Sequence, residues 1–253
     1  LGDHWGFQGR LSNIGSDGYI DRASTRLNSY FMQGGYFNDN TVVKFITFNG
    51  TEKTYHAWDY ASKADMKKYG RRYNPSGKYK DAAGNTAFYD NQTDNYHQQH
   101  YYLIWNQRLS NAWKLNASLH YTHGFGYYEQ YKADSEDSHV KLYKYLLSST
   151  LGKYSDLIRR KQMCNNFYGA VASVSYDARK GLSAILGGGW NKYDGDHFGN
   201  VIWVRSFNGS IDPNHKYYDN NARKTDANIY GKVNYEFLPG LNAYADMQYR
   251  RIT

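Results

Sequence analysis

The chain has 253 residues, a formal charge of +8, a 40% hydrophobic share in which aromatics supply 18%, 28 Tyr and one cysteine, Cys164. There is no apolar run of about 18 residues, which excludes a membrane-crossing helix. A lone cysteine excludes an internal disulfide and any multi-cysteine zinc motif, and aliphatic residues are too scarce for an ordinary soluble core of this length. The basic residues are spread among acids and cluster only briefly, at Lys67–Lys68, Arg71–Arg72 and Arg159 to Lys161, so no nucleic-acid partner is expected.

Taken in order, Leu1 to Ser12 sets Trp5, Phe7, Gly9 and Leu11 against Gly6, Gln8, Arg10 and Ser12. That period of two predicts a strand rather than a signal peptide. Asn13 to Thr25 reads as a polar loop. Arg26 to Phe37 alternates again, through Tyr30, Met32, Gly34 and Tyr36, and Asn38-Asp39-Asn40 makes a tight turn. Thr41 to about Trp58 is a strand of ambiguous register. Placing Val43, Phe45 and Thr47 on the apolar face keeps Lys44 off it. Asp59 to Asp94 is a long loop with a turn at Asn74-Pro75-Ser76-Gly77.

Asn95 to Leu109 returns as a strand, Ser110 to Trp113 turns, and Lys114 to Tyr128 is the next strand, with Leu115, Ala117, Leu119 and Tyr121 on one face. Glu129 to Cys164 is a second long loop, with a short helix predicted at Ser138 to Leu147. Asn165 to Tyr176 and Leu182 to Tyr193 are strands about a turn at Asp177 to Gly181. Asp194 to Thr225 is a third long loop, turning at Asp212-Pro213-Asn214. Asp226 to Leu238, the Pro239-Gly240 turn and Leu241 to Thr253 end the chain.

These are nine strands whose short and long connections alternate strictly. All short turns therefore fall at one end and all long loops (about 59–94, 129–164 and 194–225) at the other. Transmembrane barrels segregate their loops in this way, with apolar-out, polar-in strands. The minority faces carry Lys232, Glu236, Asp246 and Arg250, which suit a wet lumen and would need partners in a dry core. An open sheet in hydrocarbon would leave unpaired backbone groups at roughly several kcal/mol each. The expectation is an all-β, antiparallel, up-and-down transmembrane barrel domain over 1–253, partial, and completed by further strands.

Several stretches resemble TonB-dependent outer-membrane receptors: Gly9-Arg10-Leu11-Ser12-Asn13-Ile14 running into Ser16 to Ala23, Phe48 to Trp58, Tyr69 to Pro75, Leu119 to Lys132, Asp156 to Lys161, and Gly187 to Gly199. The resemblance spans nearly the whole chain and specifies the family better than the ligand. It implies a 22-stranded barrel in the outer membrane of a Gram-negative bacterium, plugged by an N-terminal domain that this sequence lacks. It also implies uptake of a scarce nutrient energised through the TonB complex. An iron–siderophore or haem-type ligand leads, with cobalamin or glycan uptake close behind. The alternative class is a surface adhesin or smaller outer-membrane barrel that binds without transporting.

The histidine pairs His97/His100 and His120/His123 are three apart, which on a strand sends their side chains to opposite faces, so no metal site is expected. Gly124-Phe125-Gly126 and Gly187 to Gly189 lack the context of a phosphate loop and read as close approaches of backbone. Asp194-Gly195-Asp196 lacks the remaining ligands of a calcium loop. No catalytic constellation has a context, so neither an enzyme nor a cofactor is expected. Trp5, Trp105, Trp113, Trp190 and Tyr249 read as girdle residues in contact with outer-membrane lipid. Trp58, Tyr60, Tyr73, Tyr127, Tyr128, Tyr131 and Trp203 border the long loops and are candidates to stack on an extracellular small-molecule ligand. Arg71, Arg72, Arg159, Arg160 and Arg205 are candidates to pair with its carboxylate or catecholate oxygens. The plainer role for each is to pack the loops against one another.

Overall fold

A computed structural model describes residues 2–178, 181–212 and 214–253; Leu1 of the first predicted strand, Arg179 and Lys180 of one predicted turn, and Pro213 of another lie outside them. The long strands are β1 (Trp5–Ser16), β2 (Thr25–Phe37) and β3 (Thr41–Tyr55), then, past the helix α1 (Lys63–Tyr69) and the short strands β4 (Lys78–Lys80) and β5 (Thr86–Phe88), β6 (Thr93–Arg108) and β7 (Trp113–Lys132). A 3-10 turn at Leu142–Tyr145 precedes β8 (Leu157–Asp177), β9 (Leu182–Val204), β10 (Lys216–Leu238) and β11 (Leu241–Ile252). The nine long strands form one antiparallel sheet in chain order, and β4 and β5 form a separate hairpin. No helix among the described residues is long and apolar enough to cross a membrane.

The register fixes the faces. A single lateral row crosses all nine strands through Trp5, Tyr36, Val43, Trp105, Ala117, Ala172, Gly188, Ile229 and Tyr249. The adjoining row, on the opposite face, runs through Lys44, Ile104, Ser118, Val171, Gly189, Asn228 and Arg250. The first face is apolar and bare: Leu11 is 86% exposed, Met247 81% and Phe7 68%. So large a continuous apolar surface is the signature of a face made for something other than water. Val43, Phe45 and Thr47 lie on it beside Trp105, Leu103 and Tyr101, which resolves the register of β3 as expected, with Lys44 on the polar face. β1 and β11 are the two edges of the sheet.

Connections 38–40, 109–112, 178–181 and 239–240 lie at one end, and 17–24, 56–92, 133–156 and 205–215 at the other. The strict alternation holds, but the strands climb further than hydropathy suggests. β7 and β8 extend through Glu129 to Lys132 and Leu157 to Cys164, and β9 and β10 occupy most of 194–225. The loops expected at 129–164 and 194–225 therefore contract to 133–156 and 205–215. Hydropathy alternates only while one face is apolar. Where both faces carry polar residues, as at Asp194 to Asp196 and Asn220 to Lys224, the ladder of hydrogen bonds continues without its signal.

Two local structures also differ from expectation. The helix expected at Ser138 to Leu147 is only the 3-10 turn, ended by Leu146 in a left-handed conformation (φ 54°). α1 lies inside a stretch read as loop, although Ser62 and Asp65 form a capping box around its first turn, a pattern visible in Ser62-Lys63-Ala64-Asp65. The glycines at 124, 126 and 187–189 are close approaches, as expected: a Cβ on Gly126 would lie 2.2 Å from the Asn95 carbonyl oxygen.

Candidate functional site

At the long-loop end the two faces of the sheet carry different chemistry. On the continuation of the apolar face, Glu129 is 1% exposed and accepts hydrogen bonds from the Tyr89 hydroxyl, from Asn91 Nδ2 at 2.7 Å and from Arg160 Nε at 2.7 Å. Burial, reinforced by the carboxylate, holds the Tyr89 phenol well above its ordinary pKa. The Arg160 guanidinium lies 4.4 Å over the Tyr127 ring. Beside it, Tyr131 is stacked on Tyr79 at 4.5 Å, with Trp203 at 5.9 Å, and its hydroxyl donates to Asp156 Oδ2 at 2.6 Å. Arg205 pairs with the same Asp156 oxygen at 2.8 Å and donates to the Tyr131 hydroxyl and the Lys80 carbonyl. These residues rivet the β4–β5 hairpin and the 56–92 excursion onto the tops of β7, β8 and β9.

A second set joins the 17–24 and 56–92 connections. Asn74, 1% exposed, donates to the carbonyls of Asp21 and His56, and Arg22 donates to the Asn74 carbonyl while lying 3.9 Å over the Phe88 ring. Arg72 pairs with Asp21 at 3.2 Å, and Tyr73 stacks on Tyr69 at 4.6 Å. Arg71 and Tyr60 are exposed beyond them, Tyr60 at 95%.

The polar face is different. Tyr128 stands opposite Lys161 and Gln130 opposite Arg159, with Lys132 next along β7 on the same side. Trp58 packs on the buried His56 ring at 3.5 Å and edge-on against Tyr128 at 5.5 Å. Burial lowers the His56 pKa, so the ring is neutral at ordinary pH. Lys161 Nζ lies 5.7 Å from the Tyr128 ring centre. Arg159 donates to Gln130 Oε1 at 2.7 and 3.1 Å and to the Tyr145 hydroxyl at 3.4 Å. Tyr217 meets Tyr145 and Tyr218 at 4.9 Å each. Among the described residues no carboxylate pairs with Lys132, Arg159 or Lys161, and His56 Nε2 and the Tyr217 hydroxyl are buried without hydrogen-bond partners. One row lower, a cavity of about 400 Å³ opens between Tyr96, Tyr128, Lys161 and His197, with Glu52 and Asp94 at its side.

Of the twelve residues singled out in the sequence, the polar face thus brings together Trp58, Tyr128 and Arg159. Tyr127, Tyr131, Arg160, Trp203 and Arg205 lie on the other face, where the charges of Arg160 and Arg205, the Tyr131 hydroxyl and the Tyr127 ring are already engaged. Tyr60, Arg71, Arg72 and Tyr73 sit out on the 56–92 excursion. His56, Lys132, Lys161, Tyr217 and Tyr218 join the polar-face group without having been singled out. Continuing the two-residue period past Tyr128 and back from Cys164 would have placed Lys132 and Lys161 there.

No family model matches the sequence, and no curated protein matches it. Solved structures do match. The ferric-catecholate import receptor Fiu from E. coli K12 superposes with a TM-score of 0.65 at 9% identity, covering 100% of this chain and 41% of that one. BauA, the ferric preacinetobactin receptor from Acinetobacter baumannii, gives 0.61 at 9% identity over 100% and 38%. The RagAB peptide importer in its closed-closed state gives 0.66 at 12% over 99% and 30%. The chain therefore spans less than half the length of these structures. Fiu and BauA are TonB-dependent receptors, transport receptors rather than enzymes, and the sheet has the fold of a section of their barrels.

Proposed function

We propose that the chain is a section of a TonB-dependent outer-membrane receptor. Its apolar face meets lipid, and its polar face lines the lumen below a rim that binds an anionic, ring-bearing nutrient such as an iron–siderophore or haem-type ligand. The observation that carries this reading is the unequal neutralisation of charge. The cations on the lipid-side rim, Arg160 and Arg205, are matched by Glu129 and Asp156. Those on the lumen-side rim, Lys132, Arg159 and Lys161, form no salt bridge with a carboxylate among the described residues, although Glu52 and Asp94 flank the cavity beside Lys161, and they stand among Trp58, Tyr128, Tyr217 and Tyr218. Guanidinium and ammonium groups beside aromatic faces suit catecholate or carboxylate oxygens attached to planar groups. Uptake would be energised through TonB acting on a plug domain outside this sequence.

Arg159→Ala combined with Lys161→Ala is expected to weaken binding of ferric catecholate or ferric citrate by the full receptor at least about 100-fold, at roughly 1.5–3 kcal/mol per charged hydrogen bond. Growth of the corresponding strain on that chelate as sole iron source should fall with it. Unchanged binding and growth would remove the lumen-side rim from the ligand path.

A further inference from the structure

The 133–156 connection carries a feature that neither rim uses. It is a cap with its own core: Val140, Leu142, Tyr145 and Leu147 bury against Leu157, Val201 and Val204. Against Leu142 and Leu147 of that core, on its outer side, lies a pocket of about 460 Å³. Two tyrosines and two lysines define it, Tyr143, Tyr154, Lys141 and Lys153, with Ser148 at the edge and Leu142 in the floor.

The pocket is pre-built. Lys141 and Tyr154 form a β-bridge, and the Leu142 amide donates to the Lys153 carbonyl at 3.0 Å, so both lysines are carried on paired backbone. One face of the Tyr154 ring is stacked on His139 at 4.2 Å and 11°, and His139 is held in turn by Asp134 at 3.3 Å. The ring's orientation is therefore set before anything binds. Leu146, in its left-handed conformation, donates its amide to the carbonyls of Leu142 and Tyr143 and turns the chain so that Leu147 enters the core and Ser148 faces outward.

The lining is also unsatisfied. Tyr143 is 65% exposed although a core lies one residue away. Among the described residues neither Lys141 nor Lys153 has a carboxylate partner. Asp134 is taken by His139 and the Val140 amide, and Asp156 by Arg205 and Tyr131. Flat aromatic surface for the C–H face of a ring, ammonium groups for an acid and a hydroxyl at the edge together match a sugar that carries a negative charge.

We infer that the cap holds a second binding site, separate from the lumen-side rim, for an anionic saccharide bearing a carboxylate or phosphate. Either acid satisfies the paired lysines, whether it belongs to a free acidic oligosaccharide or to a phosphorylated surface sugar. The test titrates the full-length protein in detergent with oligogalacturonate, with glucosamine 1-phosphate and, as a neutral control, with maltotetraose, following bound sugar calorimetrically. Binding is expected for one or both acidic probes, and which one binds identifies the source. The Lys141→Ser/Lys153→Ser double variant is expected to lose at least 10-fold in affinity for that probe, and Tyr154→Ala a similar factor. Lys161→Ala, on the lumen-side rim and without a contact to the cap among the described residues, should leave it unchanged. Failure of both acidic probes to bind, equal binding of maltotetraose, or full affinity in the double variant would overturn the inference. Loss on Lys161→Ala alone would assign the binding to the rim and overturn it equally.

Discussion

Replacing Arg160 with leucine is expected to release the 56–92 excursion from the top of the sheet. Glu129 would remain buried with only the Tyr89 hydroxyl and the Asn91 amide as donors. Removing one partner of a buried ion pair costs roughly 3–5 kcal/mol, because the other charge stays behind without compensation. Arg160 is one-third exposed, so the reverse change is gentler. Glu129→Gln keeps an acceptor for Tyr89 and Asn91 and lets the guanidinium reach water. Amide hydrogen exchange over 78–91 reads the difference, with a protection loss of about 100-fold or more in Arg160→Leu and less than that in Glu129→Gln. Equal protection in the Arg160 variant and the native protein would mean that the hairpin is held by something other than this ion pair. Arg159→Leu, one residue along and on the opposite face, should leave the same amides protected.

Leu142→Ala should empty the centre of the cap. Leu142 is 1% exposed and packs among Val140, Tyr145 and Leu147 over Leu157 and Val201. A leucine truncated in such a site costs about 2–5 kcal/mol, the spread depending on how far the site can collapse. The cap is small, so that cost falls on a local unit rather than on the sheet. Limited proteolysis within 133–156 is the appropriate measurement. Cleavage should accelerate strongly in Leu142→Ala and stay near the native rate in Leu146→Ala, whose side chain is mostly exposed. A native rate for Leu142→Ala would show that the cap does not depend on its core.

The division between what the sequence revealed and what it hid follows from solvent. Wherever one face of a strand is apolar and the other wet, alternation states both the element and its orientation. Trp5, Phe7 and Leu11, or Ile229, Val233 and Tyr235, could be placed on the bare face by reading every second residue, and the hydrogen-bonded register agrees. Above that band both faces are polar, and β9 and β10 run on through residues that read as loop. The candidate site lies in this silent region. Which of Arg159 and Arg160 stands on the polar face depends on strand parity, which reading the stretch as loop erases. The partners that neutralise Arg160 and Arg205 are equally non-local, since Glu129 and Asp156 come from different strand ends and Tyr89 from a distant excursion. Composition fixes how many cations there are, and only the fold decides which of them are already paired.

The central claim is that this sheet is a barrel wall with lipid on its apolar face and water on the other. Single cysteines in a Cys164→Ser background of the full-length protein, embedded in membranes and exposed to a lipid-soluble thiol reagent, test it most directly. Cysteines at Ala117, Val233 and Ala243 should label, and those at Asn116, Asn234 and Asn242 should be protected from that reagent and react with a water-soluble one. Labelling of the asparagine positions by the lipid-soluble reagent, with the alanine and valine positions silent, would contradict the orientation on which the whole account of the rim depends.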